Sequence, residues 1–374
     1  MTETVPPSSA GLPQRVALVL GGGGLKGFAH IGVLRALEER GIRPVVMAGT
    51  SVGALVAAAY VRGVSIDALE ITALSLRKPD LFRIDHVGMV LKRLLAPSLY
   101  LEQPLQTLVE RLVPEGSFRD LPIPLLVNTV DLERGTLVTW GLPGLQEVSV
   151  TDAVYASCAL PGFFPPRVID GRPCVDGGVL ENLPALVASR NVDAVIAVDV
   201  GSTSLTAARR VGEKGFAAIF MRSVQVMMRS LQQRQISDWH GPPLLLIRPA
   251  VWKFNWFSFA HAKTIIEAGY AAACEVLDGA GEALATPNSV FPRRHVEVTV
   301  DRARCTGCGV CAVLAPAVMR MGDDGIAVAA SGLLDWSRAD GAFVPECPTQ
   351  AISVEVVASD GARHRTMEFR VVSE

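Results

Sequence analysis

The chain has 374 residues, 49% of them apolar and 19% charged, with 35 basic against 37 acidic side chains and a formal net charge of −2. That length suits one large and one small domain, and the apolar share is ample for a sizeable core. The near-neutral balance offers no basic field to a polyanion, which argues against nucleic acid as a partner.

Met1 to Ser9 has neither the basic start nor the apolar run of a signal peptide, so residues 1–14 are expected to be a disordered leader and the protein cytoplasmic. Arg15 to Leu20 reads as a buried strand. Four glycines follow, then an apolar-periodic helix from Phe28 to Arg40 that Gly41 stops. Between Arg43 and Arg62 the chain carries no charge, close to the length of a membrane span. Pro44, Gly49, Thr50, Ser51 and Gly53 interrupt it, and a strand to Ala48, a turn, and a helix from Val52 to Val61 explain it better.

From Lys78 to Tyr100 the pattern loosens into large apolar groups mixed with bases. A surface helix packed on the sheet is the favoured reading, with a lid or a membrane-surface patch as the alternative. Strand–helix alternation returns later, most clearly at Val192 to Val200, and the rhythm predicts a mostly parallel sheet with helices on both faces. Residues 278–294 are rich in Gly, Ala and Pro and read as a boundary, beyond which lysine disappears.

Gly49-Thr50-Ser51-Val52-Gly53 lies where a strand turns into a helix, the setting a G-x-S-x-G elbow requires. Flanking glycines permit the sharp turn, and the N-terminus of the next helix favours developing negative charge beside Ser51. The run Gly21-Gly22-Gly23-Gly24-Leu25-Lys26-Gly27 also joins a strand to a helix. It fails as a Walker loop, because no Lys-Ser/Thr pair follows. It fails as a dinucleotide fingerprint, because the acidic residue expected ~20 positions on is missing. As an oxyanion hole it fits, since side-chain-free N–H groups would reach an intermediate formed at Ser51.

A nucleophilic serine needs a base. Asp176 follows a short apolar segment and precedes Gly177 and Gly178, so it should emerge at a strand end; Asp170-Gly171 reads as a hairpin turn. His240 and His261 follow Asp176 in the order a Ser-Asp-His triad would require. A dyad would leave no imidazole to titrate near ~6.5, so its acid limb would track a carboxylate.

Gly22-Gly23-Gly24-Leu25-Lys26-Gly27, Gly49-Thr50-Ser51-Val52-Gly53 and Asp176-Gly177-Gly178, in that order, resemble the patatin-like phospholipases. So do Ala156 to Pro166, and Val179 to Pro184 with its Asn182. The resemblance spans residues 15–280. It implies a Ser–Asp dyad with Ser51 as nucleophile and Asp176 as base. It further implies oxyanion donors from Gly22, Gly23 and Gly24, with the N–H of Val52. Lys26 stands where that family carries Arg or Lys, and Gly27, Gly49, Gly53, Gly177 and Gly178 support the motifs. The substrates implied are lipid carboxylic esters. Trp252, Phe254, Trp256, Phe257 and Phe259 form the densest aromatic group, read as core packing with one or two exposed, although such side chains also anchor at lipid interfaces.

Seven cysteines divide in two. Cys158, Cys174 and Cys274 are scattered and read as buried thiols, and no disulfide framework is expected. Cys305, Cys308 and Cys311 are a triple at i, i+3 and i+6, and Cys347-Pro348 brings a fourth thiolate. Zinc sites use two separated pairs, whereas a triple plus Cys-Pro is the ferredoxin arrangement. Residues 295–357 resemble single-cluster bacterial ferredoxins. Ala315-Pro316 replaces the Cys-Pro that would serve a second cluster, so one [4Fe–4S] cluster is implied. His295 to Val300 reads as an edge-type strand that Ala351 to Val357 could pair, and Asp360-Gly361 as a further hairpin.

The expected architecture is a three-layer α/β/α domain over 15–285 and a small α+β ferredoxin-like domain over 293–374. The expected activity is lipid ester hydrolysis through an acyl-enzyme. The cysteine module would sense redox state, dock a redox partner or serve structure, and the hydrolase would touch membranes only peripherally. The alternative is an electron-transfer or scaffold protein whose larger domain binds lipid without catalysis.

Overall fold

The computed structural model describes residues 15–84, 98–113, 115–201, 211–283, 288–358 and 362–365. The chain divides into two compact units. Residues 1–203 and 241–287 form one, and residues 204–240 and 288–374 form the other. The expected boundary near residue 290 is thus one of three crossings. The second unit also claims 204–240, a segment whose composition does not mark it off from its surroundings.

In the larger unit, β1 (Val16–Leu20), β2 (Val46–Gly49), β7 (Ala194–Val198) and β8 (Leu244–Ile247) form a parallel sheet with β3 (Leu125–Asp131), in the order β3-β2-β1-β7-β8. Three antiparallel strands extend it. β4 (Thr136–Trp140) and β6 (Arg172–Asp176) both pair with β3, and β5 (Arg167–Ile169) pairs with β6. β1, β3, β7 and β8 are buried at every residue, which requires cover on both faces. Helices supply it: α1 (Ala29–Glu39), α2 (Val52–Val61), α3 (Ile66–Ser75), α4 (Glu102–Leu112) and α5 (Val150–Cys158), with a further long helix at Ala262–Asp278. This is the mixed α/β, mostly parallel architecture expected from the strand–helix rhythm.

Local expectations hold at several turns. Gly41 ends α1 at φ 68°, and Asp170 and Gly171 take φ 49° and 71° between β5 and β6, both positive as a tight hairpin turn needs. The stretch read as a surface helix between Lys78 and Tyr100 falls largely on 85–97, outside the described residues, as does the leader.

In the smaller unit, α6 (Phe216–Ser237) precedes four antiparallel strands. They are β9 (Arg294–Val300), β12 (Leu334–Trp336), β13 (Ile352–Val357) and β14 (Arg363–Arg365), in the order β12-β9-β13-β14. β9 is flanked on both sides, which corrects the edge-strand reading. Its Val296 and Val298 are buried, and β12, which carried no strand signal, covers its other side. β14 pairs with β13 as the tail hairpin required, and residues 359–361, where Asp360-Gly361 falls, lie outside the described residues. A short ribbon of β10 (Met319–Met321) and β11 (Ala327–Ala329) completes the strands. The core gathers Val296, Val298, Met319, Trp336, Phe343 and Ile352. From α6, Gln233 donates its Nε2–H to the Ala342 carbonyl at 2.8 Å. No helix among the described residues is long and apolar enough to cross a membrane.

Candidate active site and cysteine centre

The register on β3 brings the two key side chains together. Gly49, the last residue of β2, lies opposite Val127, and Asp176, the last of β6, lies opposite Thr129. Two residues of strand span about 7 Å. The turn after Gly49 therefore starts beside the Asp176 strand end. On the other side of β2, Leu20 pairs with Gly49, and the Thr50 N–H donates to the Leu20 carbonyl at 3.1 Å. The glycine run thus leaves the sheet beside the same turn.

The turn is tight. Ser51 has φ 55° and ψ −131°, a backbone conformation that costs a residue with a Cβ on the order of 1–3 kcal/mol. A Cβ on Gly53 would run into the Leu20 carbonyl, and one on Gly49 would stand 2.6 Å from Ala54 Cα. Both flanking glycines are therefore required by packing. The Ser51 N–H donates to the hydroxyl of Ser157, at 2.8 Å, on the fully buried side of α5. Ser157 lies in the Ala156–Pro166 stretch that resembles the family, yet nothing local marks it as the partner of an amide more than a hundred residues away.

Asp176 is 4% exposed. Its Oδ1 accepts the Gly178 N–H at 2.8 Å, and its own N–H donates to the Ala159 carbonyl at 3.0 Å. Burial lifts the carboxyl to about 6; hydrogen bonding from Gly178, and more weakly from the Ser51 hydroxyl, opposes this. Gly177 is pressed against β3, where a Cβ would meet the Asn128 carbonyl oxygen at 2.5 Å. Asn128 in turn donates to Glu181 at 2.9 Å and accepts from Thr139 at 2.8 Å, a buried polar chain that no sequence signal announced.

The glycine run and the segment after Asp176 are clamped together by Asn182. Its Nδ2 donates to the Gly22 carbonyl at 3.1 Å, and its carbonyl accepts the Gly22 N–H at 3.3 Å. The Gly22 N–H is thus committed to Asn182. Gly23, Gly24 and Val52 stand at the start of helical turns, where N–H groups have no intrahelical acceptor, and none is found for them among the described residues. A Cβ on Gly27 would strike Val52, so the two motifs pack directly. Lys26 points inward: burial lowers its pKa to about 8, partly offset by Asp199, which also pairs with Arg248 at 3.2 Å.

The hydrogen bonds that hold the Asp176 carboxyl come from Gly178 and Ser51. His240 Nδ1 lies 2.8 Å from the Asp238 carbonyl, and the His261 ring packs on Phe254 at 5.0 Å. The buried His30 is held through Nε2 to the Gly21 carbonyl at 2.8 Å.

Aromatic side chains gather beside the glycine run. The Trp256 carbonyl accepts the Leu25 N–H at 3.1 Å, and Phe257 stacks on Phe163 at 6.1 Å and meets Phe82 edge-on at 5.0 Å. Phe82 also contacts Tyr100 and Phe164. Trp252 and Phe257 are 37% and 39% exposed, and Phe254, Trp256 and Phe259 are only half-buried, so the group lies at the surface, which corrects the core-packing reading.

In the smaller unit, Cys305, Cys308, Cys311 and Cys347 line one cavity. Among the described residues no three His, Cys, Asp or Glu side chains converge tightly enough for a single ion. Four thiols around one cavity are the donor set that an iron–sulfur cluster would take. Gly307 and Gly309, between the ligands, take φ 72° and 75°, which turns the chain around the cavity. Burial would raise the Cys347 thiol, but N–H donors, led by Ala351 at 3.3 Å from Sγ, bring it below the ordinary range. N–H groups aimed at sulfur are what a thiolate-bound cluster needs.

The fold and site together define a mostly parallel α/β protein with a serine elbow, followed by a four-cysteine module. Residues 18–189 match the family described as patatin-like phospholipase, and residues 298–354 match the 4Fe-4S single cluster domain. The chain thus carries a patatin-like phospholipase domain in its N-terminal half and a 4Fe-4S single cluster domain near its C-terminal end.

An uncharacterized NTE family protein of Mycobacterium tuberculosis (strain ATCC 25618 / H37Rv) is 36% identical over 196 residues, covering 52% of this chain and 51% of its own. Lysophospholipase NTE1 of Mycosarcoma maydis is 32% identical over 291 residues, 71% of this chain and 15% of its own. The crystal structure of VipD from Legionella pneumophila aligns with a TM-score of 0.39 at 16% identity, over 72% of this chain and 68% of that one. The chain thus spans about half the length of the mycobacterial relative and a small part of the fungal one.

Proposed function

We propose that the larger unit hydrolyses lipid carboxylic esters through a covalent acyl group on Ser51. The observation that carries this reading is the meeting, on β3, of a strained serine elbow with a buried carboxylate. Asp176 removes the Ser51 proton as Oγ bonds to the ester carbonyl carbon. The carbonyl oxygen gathers negative charge against the N–H groups of Gly23, Gly24 and Val52. As the tetrahedral species collapses, the bond to the alcohol oxygen breaks and the Asp176 proton goes to that alcohol. Water, deprotonated by the same carboxylate, then attacks the acyl carbon; the carboxylic acid leaves and Ser51 Oγ regains its proton. Below its pKa of about 8 Lys26 is charged, and its positive charge beneath the glycine loop adds to the field that favours the oxyanion.

Lipid esters are favoured as substrates by the aromatic group beside the glycine loop, and by a relative whose name is lysophospholipase. The smaller unit is proposed to hold one [4Fe–4S] cluster on Cys305, Cys308, Cys311 and Cys347. Such a cluster supplies one-electron redox chemistry; ester hydrolysis exchanges no electrons, so it stands outside the catalytic cycle. The cluster's proposed roles are sensing redox state, docking a redox partner or stabilising its unit.

A generic acyl-ester assay on wild type and Ser51→Ala tests the catalytic reading. The substitution should lower kcat by roughly 10⁴–10⁶, as in other serine hydrolases. An unchanged rate would favour a non-catalytic lipid binder.

A further inference from the structure

Helix α6 is built inside out. Its exposed positions recur at three- and four-residue steps from 216 to 234, which puts them on one face. Six of them are large apolar groups: Phe216, Ile219, Phe220, Val226, Met227 and Leu231. Phe216 is 83% exposed, Met227 56% and Phe220 51%. An amphipathic helix on a globular surface buries this face and presents the polar one. Here Gln232, on the other side, is 2% exposed, while the phenylalanines face outward.

The charge on the helix has one sign. Over 22 residues α6 carries Arg222, Arg229 and Arg234 and no acidic residue, in a chain whose net charge is −2. Arg222 and Arg229 are seven residues apart, on one flank of the apolar stripe, and Arg234 closes its C-terminal end. An apolar face edged by arginine matches the boundary between acyl chains and anionic head groups. A second copy of the chain is a poorer occupant, because its own α6 would bring the same positive charge.

We propose that α6 docks the protein on anionic lipid bilayers, lying in the interface with its Phe216–Leu231 stripe in the acyl boundary. The helix lies on the membrane and does not cross it. It belongs to the cysteine-bearing unit, to which Gln233 ties it through Ala342. That unit thereby acquires a mechanical purpose separate from electron transfer. Docking goes beyond the lipid-ester reading and does not depend on turnover, so either can fail without the other.

The test is flotation of the full-length, cluster-loaded protein with vesicles of phosphatidylcholine alone, or with about 30 mol% phosphatidylglycerol added. Wild type should float with the anionic vesicles, and raising NaCl to about 0.5 M should reduce binding about tenfold. Phe220→Ser combined with Met227→Ser should weaken binding about tenfold or more at low salt. Turnover of a short, soluble ester should be unchanged, which shows that the variant is folded. If that pair does not fold, Phe216→Ser, at the most exposed position, serves instead, and the salt response of wild type needs no variant. Equal binding to both vesicle types, or binding indifferent to these substitutions, would overturn the proposal. So would a dimer that the substitutions split while vesicle binding persists, since the stripe would then be a self-interface.

Discussion

The Ser51 amide donates its hydrogen to the Ser157 hydroxyl at 2.8 Å, across 106 residues of sequence. That bond fixes the elbow from outside, because the backbone at Ser51 is not one a serine adopts unaided. Ser157→Ala leaves a buried N–H without its acceptor, which should cost about 1–3 kcal/mol in stability. The elbow would also loosen, so kcat should fall about 10–100-fold with KM little changed. Ser157→Thr, which keeps the hydroxyl, should recover most of the rate. Steady-state kinetics on the pair checks this, and a matching rise in KM would point to a substrate contact instead.

The acid limb of the pH profile should lie higher than an ordinary aspartate implies. Asp176 works as a base only when ionised, and burial raises its pKa to about 6. kcat/KM should therefore climb through about pH 6 and level above it. This overlaps the range of an imidazole, so a profile alone does not separate dyad from triad; His240→Ala and His261→Ala should both retain activity.

The same shift carries a stability cost of opposite sign to catalysis. With the folded pKa above the unfolded one, the ionised form is disfavoured in the fold. The cost is absent below about pH 4, grows as pH rises through about 6, and is complete at pH 7. Asp176→Asn should be inactive yet more stable at pH 7 by about 1–3 kcal/mol, with the gain vanishing in acid. Thermal melts at both pH values measure it, and a lower melting temperature at pH 7 would contradict it.

Gly53→Ala should destabilise the larger unit by more than about 3 kcal/mol, because the new methyl meets a strand carbonyl that cannot move without breaking the β1–β2 register. Gly41→Ala is the comparison: no atom stands within 4 Å of its Cβ, so only the positive φ of 68° opposes it. Its cost should be about 1 kcal/mol. Denaturant titration of the two variants should reproduce the order.

Chelating or oxidising the cysteine centre should strip iron and soften the smaller unit while leaving soluble-ester turnover unchanged. Iron and acid-labile sulfide should each approach about four per chain, and Cys311→Ser should lower both. Cys311 is buried in the core of that unit, so its loss should also be seen as reduced hydrogen-exchange protection around Val296 and Ile352.

What was legible in the sequence is what short-range chemistry dictates. The elbow glycines at 49 and 53, the cysteine triple, the hairpin at Asp170-Gly171 and the helix from Val52 to Val61 are each set by neighbours within a few residues. What was not legible depends on partners far along the chain. Periodicity reports which face of a strand is buried but not the strand beside it. The placement of Gly49 and Asp176 two residues apart along β3 was therefore invisible, as was Ser157. Gly22 shows the limit from the other side: its motif is recognisable, yet its N–H is spent on Asn182, a partner only the fold supplies. The second unit's claim on α6 escaped for the same reason.

The most direct test of the central claim is covalent. The full-length protein is treated with a fluorophosphonate, which phosphonylates an activated serine, and the modified peptide is mapped by mass spectrometry alongside residual ester turnover. One phosphonyl group is expected, on Ser51, with turnover lost in proportion, and sharply slower labelling in Asp176→Asn. Modification of a different residue with loss of activity, or full turnover by protein labelled at Ser51, would contradict it.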